Sequence, residues 1–266
     1  MLPYIYIGQT PIPTYGLCMA MGIIVACLVS FVRLKKRNEH GENLLLVGAV
    51  GMVFALIFAK AAYYVFSYGI SRLISEILSG NFTGLENAGL VYYGGLVGGV
   101  IGGVIAIKCE HLPYRQYCDA IVPCIPLGHA FGRIGCLLSG CCFGQEYTGS
   151  IAVHTPFLPP ETTVFPIQLV EALVNVGIFI VLVRYTTNDD CRHQTLSLYV
   201  LLYGIARFIL ECFRGDLVRG IFGGLSSSQW ISIACIVASL TVILFSIQKR
   251  KSKLEEETSY EKSSPK

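Results

Sequence analysis

The strongest constraint in this sequence is the length of its apolar runs. Seven stretches, at about 14–32, 44–66, 90–107, 117–139, 165–183, 195–213 and 228–248, are oily enough to read as membrane helices. A helix needs about 20 mainly apolar residues to cross the hydrocarbon core. Only 14% of the 266 residues are charged, against about a quarter in soluble domains. The chain therefore lacks the polar surface that a water-soluble fold of this length requires. The expected fold is all-α, a polytopic integral membrane protein with seven transmembrane helices.

The loops between these runs set an orientation. On alternate loops one side carries Arg33, Lys35, Lys36 and Arg37, then Lys108 and Arg115, then Arg184 and Arg192, then the six basic residues from Lys249 onward. The other side carries only Arg72, Arg214 and Arg219. Basic residues stay on the cytoplasmic face, so the N-terminus is expected outside and the C-terminus in the cytoplasm. Residues 1–248 read as one membrane-embedded domain. Residues 249–266 read as a charged cytoplasmic tail, solvated and disordered. The opening MLPYIYIGQTPIPTYG has no basic segment ahead of its first apolar run, so no cleavable signal peptide is expected. A net charge of +3 without a basic stripe argues against nucleic-acid binding.

The charged residues inside the spans include Lys60, Arg133, Glu171, Arg207 and Glu211. Charged groups at membrane depth are costly and face a bundle interior or a wet cavity. Arg207 and Glu211 are four apart and able to pair on one helix face. Five such groups on different spans point to an enclosed polar site. In YYGGLVGGVIGGV, Gly94, Gly98 and Gly102 recur every four residues, as do Gly95, Gly99 and Gly103. This ribbon suits close helix packing, and it equally suits a backbone that makes room for a lipid headgroup.

The segment GRIGCLLSGCCFG places Arg133 among Cys136, Cys141 and Cys142. Arg133 and Cys136 share a helix face with His129 and Gly140 close by, and Ser139 and Gly140 turn the chain outward. A guanidinium offers five donors in a fork that suits a phosphate diester, and Arg207 supplies a second fork from another span. Two readings of the cysteines compete with this one. Zinc would find enough ligand types, but CxxxxCC lacks CxxC spacing and adjacent cysteines rarely both reach one tetrahedral ion. A redox role would usually show a CxxC pair, and a vicinal disulfide is strained. The other cysteines in apolar runs, such as Cys18, Cys27, Cys124, Cys212 and Cys235, read as small hydrophobes.

CDAIVPCIPLGHAFGRIGCLLSGCCFG resembles the signature region of bacterial prolipoprotein diacylglyceryl transferases, with Asp119, Pro123, Gly128, Gly132, Arg133, Gly135, Gly140 and Gly144 in register. TYGL at Thr14–Leu17, FAKAAYYVF, VYYGGLVGG, FPIQLVEA and YGIARFILECFR resemble further motifs of that family in the same order. The resemblance implies a seven-helix enzyme of the bacterial inner membrane. It would move the diacylglyceryl group of phosphatidylglycerol onto the thiol of a preprolipoprotein, with release of glycerol phosphate.

By the same matching, Arg133 and Arg207 become the phosphate clamp, and Glu211 and Arg214 its charge partners. Gln168 and Glu171 would line or brace the cavity, and Tyr15 would donate to the headgroup. Lys60, Gly94, Gly95, Gly132, Cys136, Ser139, Gly140 and Gly144 complete the implied binding residues. No cofactor or metal is implied.

The chain departs from the family pattern at Tyr93 and Phe165, where the family has histidines, and at Cys136, Ser139 and Cys141, where it has amides and an acid. Tyr93 is then the nearest hydroxyl able to act on the acceptor. Transfer of a lipid-derived group to a different acceptor, or a thiol-based membrane redox protein, are the alternatives.

Overall fold

The computed structural model describes residues 2–39, 41–80, 84, 89, 91–187, 194–215 and 221–263. Its helices are α1 (Thr14–Lys35), α2 (Asn43–Tyr68), α3 (Ile70–Ser79), α4 (Tyr92–Cys109), α5 (Tyr114–Ile121), α6 (Cys124–Ser139), α7 (Ile167–Tyr185), α8 (Thr195–Glu211) and α9 (Ser227–Ser263). Three short antiparallel hairpins accompany them: β1 (Tyr4–Ile7) with β2 (Thr10–Pro13), β3 (Val153–His154) with β4 (Thr163–Val164), and β5 (Ile221–Phe222) with β6 (Leu225–Ser226).

All seven expected runs are helical over most of their length. Among the described residues five segments are long and apolar enough to cross a membrane: Thr14–Lys35, Asn43–Tyr68, Tyr114–Ser139, Ile167–Tyr185 and Ser227–Lys249. Gly94–Cys109 is a shorter apolar helix. The run expected over 117–139 is divided by a turn at Val122–Pro123, because proline has no N–H to continue the helical ladder. Arg192 and Arg219 of the loop count lie outside the described residues.

The tail departs from expectation, since α9 continues as helix through Ser263. The physical reason lies in the local sequence. KSKLEEETSYEK contains no proline or glycine and is rich in good helix formers, and Lys251–Glu255 and Lys253–Glu257 stand four apart.

The surface is largely apolar, and polar and charged residues are buried beside the apolar core. Phe66 and Leu78 are each 82% exposed and Leu45 76%, while Gln168 is fully buried and Glu171 is 3% exposed. Soluble proteins show the reverse. A chain that turns its leucines outward and its carboxylates inward is an integral membrane protein, solvated by lipid.

The contacts divide the chain into two compact units, Cys27–Ala120 and Met1–Ala26 together with Ile121–Lys266. In the first, α4 lies against α2 through the glycine ribbon. A β-carbon on Gly94 would fall 2.6 Å from the Phe58 carbonyl oxygen, and one on Gly102 would fall 2.7 Å from the Phe54 β-carbon. Only glycine permits that approach. Gly103, on the other ribbon, has open space beside it. The end of α5 is held by Arg33, whose Nη2 donates to the Asp119 carbonyl at 2.8 Å, satisfying a carbonyl that the helix leaves open.

In the second unit, the first half of α1 crosses α6 over a similar stripe. A β-carbon on Gly22 would meet Gly128 and Phe131, one on Gly132 would meet Met19, and one on Gly135 would meet Cys18 and Tyr15. The β1–β2 hairpin closes one end. Leu2 N donates to the Leu138 carbonyl at 2.9 Å, and Thr14 Oγ1 donates back to the Leu2 carbonyl at 2.7 Å. The rest of this unit is α6 against α7 and α8 against α9, and the polar site lies among them.

Candidate active site

Glu171 is the centre of the site. It sits one turn into α7 and reaches three arginines from three separate segments. Its Oε2 lies 2.8 Å from Arg133 Nε of α6. Its Oε1 lies 2.9 Å from Arg207 Nη1 of α8 and 3.4 Å from Arg214 Nη1, just past the end of α8. Asn175, one turn further along α7, donates to the Glu171 main-chain carbonyl at 2.8 Å.

Glu211 forms a second acidic point. Its Oε2 is 2.5 Å from Arg207 Nη2, the i,i+4 pair read from the sequence, and its Oε1 accepts from Ser226 Oγ at 3.0 Å. Arg207 Nη2 also donates to Ser228 Oγ at 3.4 Å. Arg133 Nε is shared with His129 Nε2 at 3.1 Å, and the His129 ring lies beside Tyr203. A small cavity adjoins this network, lined by His129, Glu171, Asn175, Tyr203 and Arg207 with three apolar neighbours.

Three guanidinium groups here face two carboxylates among the described residues. Burial of charge is tolerable only with close pairing, and this network supplies it at every carboxylate oxygen of Glu171. It also leaves an excess of positive charge, which suits an anion. Exposure ranks the arginines: the side chains of Arg133, Arg207 and Arg214 are 16%, 10% and 3% exposed. Arg133 is the one most open to a ligand, and Arg214 is the most buried.

The chain leaving α6 is fixed just as firmly. Gly140 caps the helix in the left-handed conformation, at φ 79°, and Cys141 N returns to the Cys136 carbonyl at 3.1 Å. Two side chains hold the turn from outside. Thr155 Oγ1 donates to the Gly140 carbonyl at 2.6 Å and Gln168 Nε2 to the Cys141 carbonyl at 2.7 Å. Gly144 then crosses between the Phe165 and Phe213 carbonyls, where a β-carbon would lie 2.7 Å and 3.0 Å away. Its own N–H donates to the Phe165 carbonyl at 3.0 Å. Gln168 and Gly144 thus act on the backbone of the turn.

Cysteine spacing argued against one shared point for the thiols, and the fold overrides that argument. Cys142 takes φ 57°, a left-handed conformation that most residues avoid. With the Gly140 reversal, it swings back so that the Cys136, Cys141 and Cys142 sulfurs all lie within 4.8 Å of one another. Cys136 is buried, and the other two are half-buried. Hydrogen bonds from the Cys136 and Cys141 thiols, together with the nearby Arg214 and Arg133 charges, hold the Cys142 thiol below the usual thiol range.

The remaining expected residues are distributed as follows. Tyr15, at the start of α1, is 43% exposed, lies against Gly135 and is close enough to feel the Arg133 charge. Gly132 gives α1 its close approach, and Ser139 is half-buried in the last turn of α6. Lys60, Tyr93, Gly94 and Gly95 belong to the Cys27–Ala120 unit; Gly94 is closed over by α2, and of Tyr93 only the backbone is described. Phe165 packs edge-on to Tyr147 at 5.5 Å and beside Phe213. Thr155, Asn175, Ser226 and Ser228 were not foreseen. Only Asn175 carried a signal, as a polar residue one turn from Glu171 in an apolar helix.

The family model described as "Prolipoprotein diacylglyceryl transferase" matches residues 3–245. A Clostridium tetani phosphatidylglycerol–prolipoprotein diacylglyceryl transferase is 31% identical, over 86% of this chain and 90% of its own length. A Clostridium perfringens protein named phosphatidylglycerol–prolipoprotein diacylglyceryl transferase 2 is 30% identical, over 91% and 93%. One from Clostridioides difficile is 29% identical, over 91% and 94%. With its arginine network held among membrane-type helices, this chain belongs to the prolipoprotein diacylglyceryl transferase family.

Proposed function

We propose that this protein transfers the diacylglyceryl group of phosphatidylglycerol to the cysteine thiol of a preprolipoprotein signal peptide, in the bacterial inner membrane. The observation that carries the reading is the sharing of Glu171 by Arg133, Arg207 and Arg214. The acceptor sulfur attacks the glyceryl carbon that bears the phosphate ester. A C–S bond forms, the C–O bond breaks, and glycerol phosphate leaves with the electron pair. Negative charge grows on the leaving phosphate, and prepositioned donors at such a point lower the barrier.

Arg133, the most open of the three, contacts the phosphate, with Arg207 behind it as the second fork. Glu171, Glu211 and Arg214 position these two guanidinium groups. Tyr15, Gly132, Ser139, Gly140 and Gly144 shape the headgroup side. Tyr93 acts on the acceptor and Lys60 and Gly95 are further substrate contacts, while Gly94 packs α4 on α2. Residues 1–248 form the membrane-embedded domain, which crosses seven times with the N-terminus outside, and residues 249–266 form the cytoplasmic tail.

The test is product analysis. Purified protein in detergent, given labelled phosphatidylglycerol and a lipobox peptide, is expected to yield a thioether-linked peptide and glycerol phosphate by mass spectrometry. The peptide with serine for cysteine is expected to yield none. Unchanged turnover in both Arg133→Ala and Arg207→Ala would show the clamp to be wrong. Release of glycerol phosphate without thioether would show that the acceptor is something else.

A further inference from the structure

We propose that Cys136, Cys141 and Cys142 hold a Zn²⁺ ion as three thiolates and leave its fourth position for the acceptor thiol. The inference deepens the reading above and rests on it for the identity of that thiol. Three observations carry it.

The first is geometric. Four sulfurs around zinc, each about 2.3 Å from the metal, stand about 3.8 Å apart. The three sulfurs here already lie within 4.8 Å of one another, so small side-chain rotations close the site. The backbone that brings them together is held from outside by Thr155 and Gln168. It also keeps Cys142 in a left-handed conformation that most residues avoid, consistent with a turn shaped for what the thiols do together.

The second observation is the ligand count. Among the described residues, no fourth His, Cys, Asp or Glu joins the group. His129, on the same helix as Cys136, accepts a hydrogen bond from Arg133 Nε at its Nε2. Closed structural zinc sites have four protein ligands, whereas sites that act on a ligand have three and an open position. Cys141 and Cys142 are half-buried and Cys136 is buried, so the trio is partly accessible.

The third is chemical need. Thioether formation requires a thiolate, and an ordinary thiol is mostly protonated at neutral pH. Tyr93 is the hydroxyl proposed to act on the acceptor, and a phenol with pKa near 10 is a weak base at neutral pH. Zinc removes the need for a base, because a thiol that coordinates it is deprotonated outright.

The step balances. Three cysteine thiols release three protons to bulk water on binding the ion, and the acceptor thiol, made acidic by coordination, releases a fourth to water when it takes the open position. Its sulfur then leaves the metal as its electron pair forms the C–S bond. The glyceryl C–O bond breaks toward the phosphate, and the position reopens. Zinc stays divalent, and nothing is oxidised or reduced. Arg133 and Arg214 lie within electrostatic reach of Cys142 and offset the negative charge of the loaded site.

The experiment separates metal from catalysis. Protein purified without chelator is expected to carry one zinc per chain by elemental analysis. Cys136→Ser, Cys141→Ser and Cys142→Ser should each lower that content at least tenfold in folded protein, and Cys235→Ser should leave it unchanged. Wild-type protein stripped by chelator and reloaded with Co²⁺ should show a thiolate charge-transfer band. That band should change on adding the lipobox peptide and stay fixed with its serine counterpart. Stripping should lower thioether formation at least tenfold, with recovery on adding Zn²⁺; the stripped and reloaded wild type keeps this arm valid if a serine variant fails to fold.

Wild type without bound zinc, a Cys136 disulfide to either neighbour in protein kept under nitrogen, or a cobalt band indifferent to the peptide thiol would overturn the inference. So would full transfer by the stripped enzyme, which would leave the proposed reaction intact. A peptide-sensitive cobalt band without thioether product would support the metal site and refute the reaction.

Discussion

Two helix contacts in this chain are built from opposite chemistry. Where α4 meets α2, Gly94, Gly98 and Gly102 remove side chains so that two backbones touch. Where α6, α7 and α8 meet, Arg133, Glu171 and Arg207 bring full charges into the same kind of apolar surroundings. The first contact holds by dispersion over a short distance and tolerates nothing larger than hydrogen. The second holds by compensation, and each member is needed because the others are there. A membrane protein spends close packing on its frame and charge on its site.

The sharpest way to break the comparison is to remove the shared carboxylate. Glu171→Ala leaves three guanidinium groups around an empty centre, and loss of one partner of a buried pair costs about 3–5 kcal/mol. We expect a large drop in thermal stability in detergent and loss of transfer. Glu171→Gln, which keeps the shape, should retain more stability than activity. If Glu171→Ala unfolds no more readily than wild type, the charges are not mutually dependent.

Overpacking of the glycine contact comes next. Gly98→Val puts methyl groups into the Phe54 carbonyl and the Phe58 side chain, and overpacking costs about 1–3 kcal/mol. The stability of Gly98→Val is expected to fall while the kcat of the surviving folded fraction stays close to wild type. A selective fall in kcat at full stability would move this ribbon from frame to site.

Arg214→Lys tests positioning within the charged contact. It keeps the charge and loses the planar fork that reaches Glu171 at 3.4 Å. A fall in kcat of about tenfold with little change in KM is expected, since it acts through the other arginines; a change confined to KM would place Arg214 directly on the substrate.

Thr155→Ala removes one hydrogen bond from the turn at Gly140 and should cost about 1 kcal/mol, read by thermal unfolding. Smallest of all, Gly103→Ala faces open space and should change stability by less than about 0.5 kcal/mol. A larger loss there would mean that the second ribbon is also packed.

Much of this molecule is legible without coordinates, because the membrane imposes simple rules. Apolar run length and the scarcity of charge give the helices. Lys60, Arg133, Glu171, Arg207 and Glu211 stand out in those runs because little else there is charged. The Arg207–Glu211 pair follows from helix spacing alone. The motif order from Thr14 to Arg214 gives the family. The tail was misjudged because charge was read as disorder, although its residues are good helix formers.

What the sequence determined by itself is therefore the solvent, the helices, the family and the identity of the charged residues. These depend on local composition and on spacings within one segment. The tertiary structure alone decided that Glu171 would hold three arginines from three segments, and that Gln168 would serve the Cys141 backbone. It also decided that three thiols with unpromising spacing would gather at one point. Those facts depend on a left-handed turn at Gly140 and Cys142 and on how far apart helices settle. Spacing along a chain fixes which face of one helix a residue occupies, and it carries no information about which face of another helix will arrive opposite.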